Sequence, residues 1–192
     1  MFERDPHKLF PHDRVMEHTI IPLVPLFVTP NMVTMLRFVL IPFVLWFLYI
    51  GNFEIGVPLF LFAALTDALD GSLARVRNNI TQWGSFYDPV ADKILVGSVV
   101  LLVVVQHLNV VLGLLIILCE AIITLVGIVR KCRGEAVSAN IFGKTKMFLQ
   151  IVGVTMLLIA LWLGFDLFMP ISSGTLSLAV VFAIISLFAY GL

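Results

Sequence analysis

Residues 67–75 read Asp-Ala-Leu-Asp-Gly-Ser-Leu-Ala-Arg, and residues 84–92 read Gly-Ser-Phe-Tyr-Asp-Pro-Val-Ala-Asp. The four aspartates in these stretches lie in or at the ends of two strongly apolar segments; they are Asp67, Asp70, Asp88 and Asp92. In a helix, residues three or four positions apart share a face and lie about 5–6 Å from each other. Each segment therefore presents a pair of carboxylates on one side, and a short turn between two such helices would bring all four together.

Four carboxylates are costly in an apolar setting. Each one costs several kcal/mol in a low-dielectric region unless it is protonated or paired. Arg75 is the only arginine in the two stretches and cannot neutralise four charges, so we expect divalent cations. Ligands that are all oxygen favour Mg²⁺ or Mn²⁺ over zinc, and calcium is less suited to phosphate chemistry. The alternative is a cluster of solvated or helix-capping aspartates at a membrane surface.

The composition indicates an integral membrane protein. Of the 192 residues, 60% are hydrophobic and 12% are charged, whereas a soluble domain has roughly 25% charged residues. The mean hydropathy is +1.08. Twelve basic and twelve acidic residues cancel, so the net charge predicts no nucleic-acid partner. Membrane lipids are the partners that this composition predicts.

Apolar segments of the right length predict the fold class. A membrane-spanning helix needs about 20 mostly apolar residues, and six segments approach that length. They are residues 33–51, 54–76, 86–107, 109–131, 144–165 and 172–190. We predict an all-α, polytopic membrane protein with six transmembrane helices, which occupy a single domain over residues 31–192. Residues 1–30 are predicted to form an interfacial segment with an amphipathic helix, because Phe10–Val28 mixes charged with apolar residues before Pro22 and Pro25 interrupt it.

The distribution of basic residues predicts the orientation. Lysine and arginine are found before the first span, after the second, and around the fourth connection, but not in the opposite loops. These residues are Arg4, Lys8, Arg14, Arg75, Arg77, Arg130, Lys131, Arg133, Lys144 and Lys146. By the positive-inside rule, both termini and the aspartates lie on the cytoplasmic side of a cytoplasmic-type membrane.

Small and basic residues accompany the aspartates. Gly71 and Ala74 follow Asp67 by four and seven positions, which places small side chains on the carboxylate face, where a ligand could approach the backbone. Arg75 supplies a planar donor for a phosphate. Gly84 falls where the turn enters the next helix, which suits a tight passage of the backbone.

The whole string, Asp-x2-Asp-Gly-x2-Ala-Arg-x8-Gly-x3-Asp-x3-Asp, resembles the signature of the CDP-alcohol phosphatidyltransferase family, with every fixed position present. The resemblance implies that Asp67, Asp70 and Asp88 hold two divalent metal ions on the CDP diphosphate. It implies that Asp92 shares a metal or acts as a general base. The positions that match the CDP-binding pocket are Gly71, Ala74, Arg75 and Gly84. The family resemblance also implies a homodimer.

A second polar pattern precedes the first span. Asn31, Thr34 and Arg37 follow one another at intervals of three and so share one helix face. They resemble the family's Asn-x2-Thr-x2-Arg segment, so Asn31 and Thr34 are assigned to CDP binding and Arg37 to an anionic partner such as a phosphate. The alternative is a helix cap at Asn31 with an arginine that snorkels toward the surface.

A basic cluster near the fifth span is the candidate site for the acceptor. Lys144 and Lys146 open the fifth predicted helix at the level of the aspartates, and Arg130 and Arg133 are close in sequence. Together they could bind the phosphate of a phosphorylated alcohol, although such loops are also basic merely to orient the protein. The Gly-Lys-x-Lys string resembles the branch that makes phosphatidylglycerophosphate from CDP-diacylglycerol and glycerol 3-phosphate. That branch commonly has an Arg-Glu pair in helix four, where this chain has Cys119-Glu120.

The sequence thus predicts an enzyme that transfers a phosphatidyl group from CDP-diacylglycerol to an alcohol and releases CMP. Glycerol 3-phosphate is the first acceptor that we expect, and inositol phosphate is the alternative. A divalent-cation transporter or a lipid-binding scaffold belongs to a different class. The transporter would need polar groups that continue across the bilayer.

Overall fold

The structure, a computed structural model, describes residues 18–19, 21–25, 28–77, 82–133 and 141–189. At positions 23, 68, 82–86, 88–89, 131–132 and 189 it describes the backbone alone. Most of the predicted interfacial helix, including all of residues 1–17, lies outside the described residues. The division between segments 1–30 and 31–192 therefore stays a prediction.

Six long helices make up most of the described chain, and none of the described residues lies in a strand. They are α1 (Pro30–Tyr49), α2 (Phe53–Val76), α3 (Gln82–Val99), α4 (Val110–Cys132), α5 (Ile141–Leu163) and α6 (Phe168–Ala189). The α3 helix continues through a π-helical segment, Val100–Val104, to a last turn at Val105–His107. All six have the length and apolar composition of membrane-spanning helices. The predicted all-α, multi-pass membrane fold is confirmed.

Local sequence explains most of the helix ends. The hydroxyl of Thr29 accepts a hydrogen bond from the Met32 N–H, with Pro30 at the first helical position of α1. Asn52 caps α2 in the same way through the Ile55 N–H. Gly51 has a φ of +74°, so the turn between α1 and α2 uses a conformation that favours glycine.

One predicted boundary is wrong. The last span was predicted to begin at residue 172, but α6 already begins at Phe168. Pro170 is tolerated there because the first N–H groups of a helix have no intrahelical partner. The chain turns instead at Gly164, whose φ is +68°.

The packing brings alternate helix ends together. The α1–α2 and α5–α6 pairs make the most extensive contacts, while α3 packs on α1 and α4 packs on α6. One apolar core runs through the bundle and includes Val44, Phe60, Val99 and Leu157. Many large apolar side chains point outward, as expected for a lipid-facing surface. Residues near the starts of α1, α3 and α5 therefore meet residues near the ends of α2 and α6.

The end of α2 is also bound to the segment that precedes α1. The Arg77 guanidinium donates hydrogen bonds to the backbone carbonyls of Val24 at 2.7 Å and Val28 at 2.8 Å. Ile21 and Leu73 are buried in the same small apolar cluster. The sequence had used Arg77 only as an orientation signal, and the structure gives it a structural role.

Candidate active site

A buried arginine joins α1 to the first aspartate pair. Arg37 is fully buried, and its Nη1 donates to Asp67 Oδ1 at 2.8 Å while its Nη2 donates to Asp70 Oδ2 at 2.6 Å. Its Nε donates to the Thr66 hydroxyl at 3.3 Å. The planar guanidinium fork suits this arrangement because Asp67 and Asp70, three residues apart, present their carboxylates on one face of α2. The arginine thereby fixes both carboxylates at the same depth.

Thr34 lies one turn before Arg37 and faces the same aspartate. Its hydroxyl is 3.2 Å from Asp70 Oδ2 and 3.3 Å from the Pro30 carbonyl. The predicted polar face of α1 thus points at α2. The alternative interpretation placed the helix cap at Asn31. It is wrong on this point, because Thr29 caps α1.

Arg37 has a partner that the sequence did not indicate. The sequence assigned Arg37 to an anionic partner such as a phosphate, without naming the aspartates of α2. The described partners of Arg37 are Asp67, Asp70 and Thr66. The Arg37 guanidinium is thus shared by two carboxylates of α2.

A third carboxylate, Asp92, faces the same region from α3. It is 5% exposed and is repelled electrostatically by Asp67 and Glu120, while Arg37 and Lys93 attract it. Asp88 lies one turn earlier on α3, and the structure describes its backbone but not its side chain. Asp92 on α3 is thus within electrostatic reach of Asp67 and Arg37.

Gly71 leaves room for the Arg75 side chain. A Cβ added to Gly71 would lie 3.4 Å from Arg75 Nη1 and 3.5 Å from Nη2. Ala74 is half-buried beside them on α2. Gly84 lies within the first turn of α3 and not in the connection before it, because α3 begins at Gln82.

A polar cavity of about 150 Å³ adjoins Asp92. It lies between α3, α4, α5 and α6, and its polar lining residues are Asp92, Lys93, Glu120, Lys146, Gln150 and Ser186. Lys146 forms an ion pair with Glu120. The ammonium of Lys93 donates to the Thr124 hydroxyl at 2.8 Å. Each lysine is therefore held by a neighbour on α4.

The four basic residues that were predicted to bind the acceptor do not all face the cavity. Lys146 is buried and lines the cavity, whereas Lys144, two residues earlier on α5, is exposed. Arg130 is half-buried near the end of α4, and Arg133 is exposed just beyond that helix. Of these four residues, only Lys146 is among those that line the cavity.

The donor set suits a hard divalent cation. Asp67, Asp70 and Asp92 contribute carboxylate oxygens, the ligands that Mg²⁺ and Mn²⁺ prefer. Within the described part of the chain, no three His, Cys, Asp or Glu side chains form a group that could hold a metal ion. The side chain of Asp88, the fourth predicted ligand, is not among those that the structure describes. The predicted metal site therefore stays a prediction with a fitting set of residues.

Several residues of this region were not predicted. Thr66, Gln150 and Ser186 are buried polar residues that the sequence interpretation passed over. Gln150 follows Lys146 by four positions, so helical spacing could have indicated it. Ser186 is surrounded by apolar residues in the sequence, and serine is common in membrane helices, so it gave no usable signal.

Comparison with known proteins identifies the family. The family model for CDP-alcohol phosphatidyltransferases matches residues 27–188, which is most of the chain. The chain belongs to the CDP-alcohol phosphatidyltransferase family. The aspartates, Arg37 and the polar cavity all lie within the matched range, and the protein is a phosphatidyltransferase.

Relatives of this phosphatidyltransferase have consistent names. A CDP-diacylglycerol–glycerol-3-phosphate 3-phosphatidyltransferase of Bacillus subtilis is 34% identical over 182 residues, covering 86% of this chain and 94% of the relative. A protein of the same name from Rickettsia typhi is 32% identical over 134 residues, covering 68% and 75%. A probable CMP-forming cardiolipin synthase of Drosophila melanogaster is 45% identical over 73 residues, covering 38% of this chain and 23% of the relative.

Proposed function

We propose that this protein transfers the phosphatidyl group of CDP-diacylglycerol to glycerol 3-phosphate and releases CMP. The observation that carries the proposal is the position of Asp92, which lies within electrostatic reach of Asp67 on one side and lines the polar cavity on the other. A residue in that position can serve both the activated lipid and the acceptor. The two bacterial relatives are named for this reaction.

Asp92 is the proposed general base. The acceptor hydroxyl gives its proton to the Asp92 carboxylate, and its oxygen bonds to the phosphorus that carries diacylglycerol. The bond from that phosphorus to CMP breaks, and CMP leaves with the electron pair. Arg37 is a positioning residue in this proposal, because it holds Asp67 and Asp70 and is itself fully buried.

The proposed cofactor is Mg²⁺ or Mn²⁺, held by Asp67, Asp70, Asp88 and Asp92. When bound, two such ions would neutralise the diphosphate of CDP-diacylglycerol. The ligand chemistry supports this assignment, since Mg²⁺ and Mn²⁺ prefer carboxylate oxygens.

The nucleotide end is proposed to lie along α2 and the start of α1. Arg75, whose guanidinium lies beside Gly71, is proposed to contact a phosphate, and Ala74 and Gly84 are proposed to let CDP approach the backbone. Asn31 is proposed to contact CDP directly. Thr34 is buried and faces Asp70, so we assign it to positioning that carboxylate.

The acceptor is proposed to enter the cavity with its phosphate toward the basic side chains. Lys146 lines the cavity, and Lys144, Arg130 and Arg133 surround the same end of the bundle. The distribution of basic residues favours a cytoplasmic location for this end and for both termini. We also propose the homodimer that the family resemblance implies.

The test uses purified protein with radiolabelled CDP-diacylglycerol in detergent micelles. Glycerol 3-phosphate, inositol phosphate, serine and phosphatidylglycerol are supplied separately, with Mg²⁺, with Mn²⁺ or with a chelator. We expect CMP and phosphatidylglycerophosphate with glycerol 3-phosphate and a metal ion. If another acceptor is turned over faster, that acceptor replaces glycerol 3-phosphate as the proposed substrate. CMP release in the presence of the chelator would contradict the proposed dependence on a metal ion. Failure to release CMP with every acceptor would reject the reaction.

A further inference from the structure

Two buried polar atoms in the cavity have no hydrogen-bond partner among the described residues. They are Oε2 of Glu120 and the hydroxyl oxygen of Ser186. Both residues line the 150 Å³ cavity that also contains Asp92. Buried polar groups are nearly always hydrogen-bonded, and each one left unsatisfied costs about 1–3 kcal/mol. Because both residues line one cavity, a polar ligand bound there would satisfy both atoms.

The two atoms are held by their surroundings. The other carboxylate oxygen of Glu120 is bound by Lys146, which fixes the carboxylate. Ser186 is fully buried near the end of α6. A Cβ on Gly143 would lie 3.5 Å from the Ser186 hydroxyl oxygen, so the start of α5 confines it from another side.

The chemistry of these atoms selects a hydroxyl group. A carboxylate oxygen only accepts hydrogen bonds, so the ligand must donate to Glu120, whereas the Ser186 hydroxyl can donate or accept. A phosphate at this position would be repelled by the Glu120 charge. The cavity is also small beside the roughly 300–1,000 Å³ of drug-sized pockets, which suits a short polyol.

We propose that Glu120 and Ser186 form a subsite that binds a hydroxyl of the acceptor other than the one that reacts. This inference rests on the proposed function and adds a specificity-determining pair to it. For glycerol 3-phosphate, the terminal hydroxyl faces Asp92 and the middle hydroxyl donates to Glu120 Oε2 and accepts from Ser186. The phosphate then lies toward the basic side chains and away from the unpaired carboxylate oxygen.

The test compares two acceptors that differ by one hydroxyl. Glycerol 3-phosphate has the middle hydroxyl, and 3-hydroxypropyl phosphate lacks it but keeps the reacting hydroxyl and the phosphate. CMP release gives kcat/KM for each acceptor in the wild type and in Ser186→Ala. We expect the wild type to prefer glycerol 3-phosphate, and we expect Ser186→Ala to lower kcat/KM for that acceptor about tenfold, as one lost hydrogen bond predicts. For 3-hydroxypropyl phosphate the variant should match the wild type.

Ser172→Ala is the matched control. Ser172 is fully buried on the same helix, but its hydroxyl donates to the Gly153 carbonyl at 2.8 Å, away from the cavity. This variant should lose some stability and keep the wild-type acceptor preference. Because partial misfolding lowers both rates equally, the ratio of the two kcat/KM values is independent of the folded fraction.

Each outcome decides the proposal. An equal loss with both acceptors, or no loss with either, would overturn the subsite while the phosphatidyl transfer stands. If the wild type releases CMP only with another polyol phosphate, the same comparison uses that acceptor and its analogue lacking one hydroxyl. If no acceptor gives CMP, the proposed function fails, and the subsite fails with it.

Discussion

At the scale of single residues, the central feature is one guanidinium shared by two carboxylates. Arg37 comes from α1, and Asp67 and Asp70 come from α2. Removing one member of a buried ion pair leaves a charge without compensation, which is more costly than the net value of the pair itself. The cluster is therefore sensitive to the loss of Arg37.

We expect Arg37→Met to lower the free energy of unfolding by about 3–5 kcal/mol, because Asp70 is 1% exposed and would lose its cationic partner. Unfolding in detergent, followed by intrinsic fluorescence, measures the change. Arg133→Met, at an exposed position, is the matched substitution and should change stability by no more than about 0.5 kcal/mol. Equal stability of the two variants would contradict the buried clamp.

A substitution at Asp67 tests metal binding without a measurement of enzymatic activity. A ligand that binds only the folded state stabilises it by about 2.7 kcal/mol at one hundred times its Kd. We therefore expect Mg²⁺ to raise the thermal midpoint of the wild type after chelator treatment, and to raise that of Asp67→Asn much less. Asp166→Asn, at the exposed connection between α5 and α6, should keep the full shift. An unchanged shift in Asp67→Asn would remove Asp67 from the metal site.

Residue-scale prediction worked where the signal was local. The three-residue spacing of Asp67 and Asp70 is a property of one helix, so the sequence predicted a shared face. The partnership with Arg37 depends on the depth and rotation of α1 against α2, which no local pattern encodes. Ser186 was missed for the same reason, because its proposed role depends on the Glu120 carboxylate, which lies on another helix.

At the scale of helices, close packing depends on glycines at particular contacts. A Cβ on Gly153 would lie 2.7 Å from Leu176 Cγ and 3.4 Å from the Leu176 backbone nitrogen. Helix α5 therefore approaches α6 as closely as glycine allows at this contact.

Gly153→Ala should destabilise the protein by about 1–3 kcal/mol, because the added methyl group overpacks this contact. Gly174→Ala provides the matched control on α6, where a Cβ would meet nothing within 4 Å. That change should be neutral or slightly stabilising, since alanine favours helix more than glycine does. Denaturant titration of both variants measures the difference. A neutral Gly153→Ala would show that α5 and α6 can separate without cost.

Helix boundaries show what hydropathy can and cannot predict. The breaks at Gly51-Asn52 and around Asn109 were predicted, because turn-forming residues there coincide with a change in polarity. The start of α6 was placed too late, because Pro170 and Gly174 suggest a turn by composition alone. A proline in the first turn and an exposed glycine in an apolar helix are both compatible with helix.

At the scale of the whole molecule, the alternation of six helices gathers the site at one end. The aspartate pair comes from α2 and is bound by Arg37 of α1, and the polar cavity lies between α3, α4, α5 and α6. Asp92 belongs to both parts, since it is repelled by Asp67 and lines the cavity. The two parts of the proposed reaction thus meet at one carboxylate.

The most direct measurement is CMP release by the wild type and by Asp92→Asn with CDP-diacylglycerol, glycerol 3-phosphate and Mg²⁺. We expect the variant to bind CDP-diacylglycerol but to form CMP about 10²–10⁴-fold more slowly, the usual contribution of a general base. Asp166→Asn, far from the site, should release CMP at the wild-type rate. Wild-type turnover by Asp92→Asn would contradict the account.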